Sequence, residues 1–257
     1  MQTRKTNILI TRPQTKLKDA VEILPPEKFC VYSCATTYMN TPLYNGKLGE
    51  QLRKLSTFDV AIFTSQFSVM KTLELAKKLD IDLNSWAKLR VYAVGPITAK
   101  CLDELGIHSW IVPSEYCAEA LADMFPANEG KRVRVFFPRG NLTSKTIEHC
   151  LTEKGYEVIS PIAYYTNYLL DVGRSVKSLI TRGQADCLAF TSPSSVFGLK
   201  KILKPSDFEL ITDRSTVAAI GPFTATACKM LGFSVQIQPT DYTLRALASD
   251  IAKHFTQ

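Results

Sequence analysis

Three kinds of short block in this sequence carry groups suited to holding an anion, and each kind occurs twice. Thr64-Ser65 and Thr191-Ser192 follow the apolar runs 60–63 and 187–190, and the second block continues into Pro193 and Ser194. Gly95-Pro96 and Gly221-Pro222 follow runs 90–94 and 216–220, each with a threonine two residues beyond the proline, Thr98 and Thr224. Arg12-Pro13 and Pro138-Arg139-Gly140 close runs 7–11 and 133–137. An apolar run that ends in Gly or a hydroxyl residue and opens onto a helical pattern reads as strand, tight turn and helix N-terminus. Such a turn presents backbone N–H groups at the positive end of the helix dipole, where carboxylates and phosphates bind. Arginine adds paired, charge-assisted hydrogen bonds. Taken singly, these residues are explained by helix capping and chain turning alone. Together they mark six strand ends, three in each half, which is the pattern of a site for a ligand bearing many anionic groups along its length.

The sequence offers little strong chemistry to go with that site. There is no GxxxxGK[ST] motif, no GxGxxG after the first strand, no GxSxG elbow and no pair of carboxylates at a strand end. His108, His149 and His254 fall on predicted helix or loop positions without an acidic or Cys partner at motif spacing, and read as surface or packing residues. The reaction therefore calls for neither a metal nor a strong nucleophile. Tyr164, in the AYYT segment, is the candidate proton donor, although a tyrosine in an aromatic strand more often packs in the core. The seven cysteines are odd in number, never spaced as CxxC and mostly set in apolar runs. That pattern reads as buried thiols in a reducing compartment, not a disulfide framework or a zinc site. The N-terminal apolar stretch is too short for a signal peptide and no run approaches the ~20 residues of a membrane span, so a soluble cytoplasmic protein is expected. A formal charge of +7 suits an anionic partner. The basic residues are scattered, however, so nucleic acid is not expected as that partner.

The elements that must position these blocks alternate along the chain. Strands are expected at 7–11, 29–34, 60–64, 90–94, 110–112, 133–137, 187–191, 216–220 and 235–237, with helical patterns between them. Segment 158–168 is a long aromatic strand broken by Pro161. Segment 35–46 has no clear period and can leave one domain for another. This is an α/β fold with parallel sheets. The two halves repeat: Arg12 and Arg139, and Phe63-Thr64-Ser65 and Phe190-Thr191-Ser192, are separated by 127 residues. Gly95 and Gly221, Thr98 and Thr224, Gly106 and Gly232, Pro113 and Pro239, Tyr116 and Tyr242, and Leu121 and Leu247 are separated by 126. An offset so constant identifies an internal duplication. Two such units facing each other would line one cleft.

FTSQFSV, VYAVGPITAKCLDELG, PRGN, AYYT, FTSPSSV and AAIGPFTATACKMLG, in that order, resemble the uroporphyrinogen-III synthase family over nearly the whole chain. The resemblance implies two flavodoxin-like three-layer domains joined by a two-stranded connector. One would be discontinuous, residues 1–36 plus 168–257, and the other residues 41–163, with connectors at about 35–43 and 162–168. It also implies a cofactor-independent hydro-lyase, acting as a monomer, that converts hydroxymethylbilane to uroporphyrinogen III through a spiro intermediate with loss of water. Hydroxymethylbilane synthase would supply the substrate, whose eight carboxylates match the repeated anion-binding ends. On this resemblance Tyr164 is the donor to the departing hydroxyl, and Thr98 and Thr224 are cleft threonines. Thr64, Ser65, Thr191, Ser192, Ser194, Gly95 and Gly221 hold carboxylates largely through backbone, and Arg12, Arg139 and Gly140 belong to the cleft. Tyr165 becomes the cleft tyrosine if the register slips by one. Gln66 stands where the second copy has Pro193, so the first Thr-Ser turn is expected to differ in shape. The competing reading is a non-catalytic two-lobed binding module for a polyanionic metabolite.

Overall fold

The computed structural model describes residues 4–42, 45–111, 118–128 and 130–256. Its strands are β1 (Thr6–Ile10), β2 (Phe29–Ser33), β3 (Thr37–Asn40), β4 (Val60–Phe63), β5 (Arg90–Ala93), β6 (Trp110–Ile111), β7 (Arg134–Phe136), β8 (Arg139–Gly140), β9 (Glu157–Ile159), β10 (Ile162–Tyr168), β11 (Cys187–Phe190), β12 (Thr216–Ala219) and β13 (Val235–Ile237). The helices are α1 (Lys18–Ile23), α2 (Gly46–Arg53), α3 (Gln66–Lys78), α4 (Pro96–Asp103), α5 (Ala118–Asp123), α6 (Thr146–Glu153), α7 (Arg174–Thr181), α8 (Pro193–Ile202), α9 (Pro205–Arg214), α10 (Pro222–Met230) and α11 (Leu244–Thr256). Leu43, Val112, Pro113, Tyr116 and Cys117, which carried a connector end, a strand end, two repeat pairings and a helix start, lie outside the described residues.

The chain divides into unit 1, Met1–Tyr38 with Asn167–Gln257, and unit 2, Met39–Thr166. Unit 1 holds a five-stranded parallel sheet in the order β13-β12-β11-β1-β2. Unit 2 holds another in the order β6-β5-β4-β7-β9. A separate three-stranded sheet has the order β3-β10-β8, and the chain passes between units once in β3 and once in β10.

Side-chain alternation explains why both large sheets are covered on both faces. In unit 1, Leu9, Leu188, Phe190, Val217 and Ala219 pack with residues of α7 to α10, whereas Ile8, Ile10, Cys187, Ala189 and Ala218 pack with α1 and α11. In unit 2, Ala61, Phe63, Val91, Ala93 and Phe136 meet α2 to α4, and Val60, Ile62, Val135 and Phe137 meet α5 and α6. A parallel strand covered in this way must be apolar at every position. The runs 60–63 and 187–190 are accordingly buried throughout. Each fully buried Leu, Ile or Phe contributes about 1.5–3 kcal/mol, so these strands anchor the ends that carry the polar blocks.

Three features depart from the sequence pattern. Segment 158–168 is broken at Pro161 as expected, but its two parts lie in different sheets; Pro161 has no N–H for a ladder, and its carbonyl accepts from Arg139 N at 3.0 Å. The aperiodic segment 35–46 contains β3, whose exposed side chains hide its strand character. The single helix expected after Ser194 is two, α8 and α9, with Pro205 opening the second at a first-turn position that needs no N–H.

No helix among the described residues is long and apolar enough to cross a membrane. Cys34 and Cys187 are fully buried, and that burial pushes both thiols up, Cys34 to about 12. Unfolding returns them toward the ordinary value of 9.0, so above that pH the unfolded chain loses protons first. Their contribution to stability is complete below the unfolded value and is lost as pH rises toward the folded one. Cys187→Ala is therefore expected to flatten the fall in unfolding free energy above pH 9 by up to ~1.4 kcal/mol per pH unit, measured by urea titration. Equal slopes in the two proteins would contradict this account.

Candidate active site

In a parallel sheet every strand presents its carboxyl end at the same edge. In unit 2, β5, β4 and β7 are neighbours, and at their ends stand Gly95, Thr64-Ser65 and Arg139 respectively. In unit 1, β12, β11 and β1 are neighbours, with Gly221, Thr191-Ser192 and Arg12 at their ends. All six blocks singled out in the sequence thus fall into two triplets, one per unit, each on adjacent strands. Within each triplet the chain leaves the hydroxyl strand toward one side of the sheet and the arginine strand toward the other. Such a switch point is where open α/β sheets bind ligands, outside the carboxyl ends of the strands. An apolar concavity of unit 2, lined by Met70, Leu73, Ile81 and Leu105, lies instead toward the C-terminal ends of α3 and α4.

The two Thr-Ser turns share one geometry. Ser65 Oγ accepts from Ser68 N at 3.1 Å, and Ser68 Oγ donates to Ser65 O at 2.7 Å. Ser192 Oγ accepts from Ser195 N at 3.2 Å, and Ser195 Oγ donates to Ser192 O at 2.7 Å. The Gln66-for-Pro193 exchange leaves that shape unaltered, contrary to expectation, because the first helical position needs only a helical φ, which either residue supplies. Both serine hydroxyls cap their helices. The first-turn N–H groups of Gln66 and Phe67, and that of Ser194, are left without an intrahelical acceptor and point out of the helix end. Ser194 Oγ lies 3.1 Å from Ser192 Oγ.

Tyr164 belongs to the unit 2 triplet. Its hydroxyl lies 3.4 Å from Ser65 Oγ, and its ring meets Phe67 edge-on with centroids 4.9 Å apart. Strand β8 pairs with β10 through Arg139 with Ile162 and Gly140 with Tyr164. A methyl group on Gly140 would fall 2.7 Å from Tyr164 Cζ and 2.9 Å from its hydroxyl oxygen. Gly140 therefore provides the space that the ring occupies. Tyr165, the next residue of the strand, is exposed and lines a different hollow with Pro42, Asn45, Lys47 and Ile162. The structure brings Tyr164, not Tyr165, to Ser65 and Gly140.

The arginines are half-buried and, among the described residues, neither forms an ion pair with a carboxylate. Burial lowers the Arg12 pKa, with the charge of Asp19 opposing. Arg139 Nη1 donates to Gly140 O at 3.1 Å, while its buried Nε has no hydrogen-bond partner among the described residues. Half-buried guanidinium groups that no carboxylate contacts directly favour binding of an anion.

The Gly-Pro turns are less alike than their sequences. Gly95 sits at φ 85, a left-handed conformation that favours glycine. Gly221 is extended, and a Cβ there would approach the Tyr242 ring at 3.2 Å. Thr98 and Thr224 are buried, at 4% and 3% exposure, where the resemblance implies hydroxyls open to a cleft. As third residues of their helices they are buried, and the preceding Ile97 and Phe223 are exposed instead. Thr64 is half-buried beside Ser65.

Sequence reasoning missed Thr11 and Asn141. Thr191 N donates to Thr11 Oγ1 at 3.0 Å, and Thr191 Oγ1 donates to Thr11 O at 3.1 Å. Thr11 Oγ1 lies 3.0 Å from Ser195 Oγ. Thr191, expected to hold a carboxylate largely through backbone, thus has both its N–H and its hydroxyl engaged in tying β1 to β11. Thr11 carried a usable signal, its place beside Arg12; its counterpart at the repeat offset is Pro138, so matching the two halves concealed it. Asn141 closes the PRGN block and hydrogen-bonds Thr166 of β10.

The sequence profile of the family described as uroporphyrinogen-III synthase HemD matches residues 29–249. A uroporphyrinogen-III synthase from Chlorobaculum parvum is 30% identical over 252 residues, covering 96% of this chain and 98% of that protein. One from Synechococcus elongatus is 24% identical over 206 residues, covering 78% and 76%. Among solved structures, a mutant uroporphyrinogen III synthase from Thermus thermophilus superposes with a TM-score of 0.76 at 20% identity, covering 98% of this chain and 97% of that one.

Proposed function

This chain belongs to the uroporphyrinogen-III synthase family of tetrapyrrole biosynthesis, and we propose that it closes hydroxymethylbilane to uroporphyrinogen III with inversion of the last ring. The observation that carries the proposal is the gathering of three anion-binding strand ends on adjacent strands in each unit. We read the units as two flavodoxin-like domains descended from one. Numbered within unit 1, the strand order is 2-1-3-4-5. Unit 2 has the same order if counting begins at β7, the equivalent of β1 by the repeat offset, which is what an exchange of first strands between duplicated units produces.

In the proposed reaction the substrate's hydroxyl leaves as water, taking a proton, and the electron pair of the pyrrole nitrogen forms an azafulvene cation. The substituted carbon of the last ring attacks to give a spiro intermediate, which breaks that carbon's bond to its original methylene to form a second azafulvene cation. The free carbon of the last ring then bonds to this methylene and loses its proton, which restores the pyrrole and balances the proton taken by the water. Pyrrole supplies both nucleophile and electrophile, so no cofactor enters. The protein's share is to hold one conformer of a flexible chain, an orientation effect, and to assist departure of the hydroxyl. Helix N-termini at Ser65, Gly95, Ser192 and Gly221, with Arg12 and Arg139, take carboxylates, each edge its own share. Thr98 and Thr224 act through the first turns they belong to. Tyr164 is the donor, and its contact with Ser65 and seat on Gly140 support that role. On the same reading the chain works as a monomer supplied by hydroxymethylbilane synthase.

Purified protein given enzymatically produced hydroxymethylbilane is expected to yield type III uroporphyrin after oxidation and chromatography. Type I alone, the product of spontaneous closure, would end the proposal.

A further inference from the structure

Strand β8 is two residues long, whereas its partner β10 continues to Tyr168. After Gly140 the backbone turns away, with Thr143 N donating to Gly140 O at 3.2 Å. The peptide groups of β10 beyond Tyr164 would lose a partner there. Asn141 takes over that function. Its main-chain N–H donates to Tyr164 O at 3.2 Å, its Oδ1 accepts from Thr166 N at 2.7 Å, and its Nδ2 donates to Thr166 O at 3.3 Å. The side-chain amide thus stands in for the missing peptide unit of β8. On the other side of Tyr164 the register shifts between Ile162 and Tyr164, a bulge of the kind that re-aims a side chain. Tyr164 lies between these two devices.

We infer that Asn141 is the positioning residue for Tyr164, holding β10 beyond the bulge so that the phenol stays over Gly140 and beside Ser65. The catalytic part of this inference rests on the reading of Tyr164 as proton donor; the structural part does not. No carboxylate or proton passes through Asn141 itself. Its effect on the reaction is carried by where Tyr164 Oη sits.

The test compares Asn141→Ala, Tyr164→Phe, the double variant and Asn141→Asp, which keeps an acceptor for the Thr166 N–H. Steady-state kinetics are measured together with the Tyr164 ring signals of protein labelled with [13C]tyrosine, assigned by their absence in Tyr164→Phe. Asn141→Ala is expected to lower kcat by about tenfold or more, within the ~100-fold that a 1 Å misplacement can cost, with KM changed less than about twofold. It is expected to move the Tyr164 signals, and to add no further loss in the Tyr164→Phe background. Asn141→Asp, which keeps the bond from Thr166 N but loses the one to Thr166 O, should recover only part of the loss. Wild-type kcat with unmoved ring signals in Asn141→Ala would overturn the inference, as would losses that multiply in the double variant. If Asn141→Ala does not fold, parental kcat with unmoved Tyr164 signals in Asn141→Asp, which has lost the bond to Thr166 O, overturns it equally. Moved ring signals beside a Tyr164→Phe variant of normal kcat would remove the donor role and leave the positioning intact.

Discussion

Tyr164→Phe is expected to lower kcat about a hundredfold while leaving the melting temperature within about four degrees of the parent. General acid assistance is worth ~10²–10⁴ in rate, and the lower end applies because the pyrrole nitrogen itself expels the hydroxyl. The ring stays, so its edge-on packing with Phe67 at 4.9 Å is kept. Only the 3.4 Å contact to Ser65 Oγ goes, a long hydrogen bond whose loss costs at most ~1 kcal/mol. Spontaneous closure continues in the variant, so the ratio of type III to type I product reports the loss as well as the rate does. A variant with parental kcat and product ratio would take Tyr164 out of the mechanism. If binding to the strand ends survives, the remaining role of the protein would be conformational selection alone.

Those strand ends were the most legible part of the molecule. Apolar runs such as 60–63 and 187–190 are buried on both sheet faces, and a residue type that every position must share is easily read. The polar blocks after them were legible because each one stands twice in the sequence. What the sequence hid is whatever the two copies do not share. Thr11 ties β1 to β11 where the equivalent position holds Pro138, and Gly95 is left-handed where Gly221 is extended. The buried state of Thr98 and Thr224 was hidden for another reason: a helix's third residue follows an exposed second one, and the motif records both without saying which faces out. Tyr164 could be located to a strand but not to a face, since one step of register exchanges it with Tyr165. The pairing of Tyr164 with Gly140 resolves that ambiguity, and it lies in a sheet of which β8 supplies only two residues.

That pairing makes Gly140→Ala the sharper steric experiment. Gly140 does not have a positive φ, so alanine can adopt its backbone and only space opposes the change. The added methyl would meet Tyr164 Cζ at 2.7 Å, Cε2 at 2.9 Å and the hydroxyl oxygen at 2.9 Å, distances that real Cβ atoms do not reach. A phenol ring is rigid and packed against Phe67, so it cannot yield by a small rotation and must leave its seat. Gly140→Ala is therefore expected to lose at least as much kcat as Tyr164→Phe, because the donor is displaced whole, and to lose ~1–3 kcal/mol of stability from overpacking. The two losses have one cause, which a second substitution separates. In a Tyr164→Ala background the ring is gone, and Gly140→Ala should then cost less than about 0.5 kcal/mol in urea unfolding. A full penalty in that background would mean that the glycine is required by the turn at Thr143, not by the tyrosine. The seat of the proposed donor would then have to be explained by β10 alone.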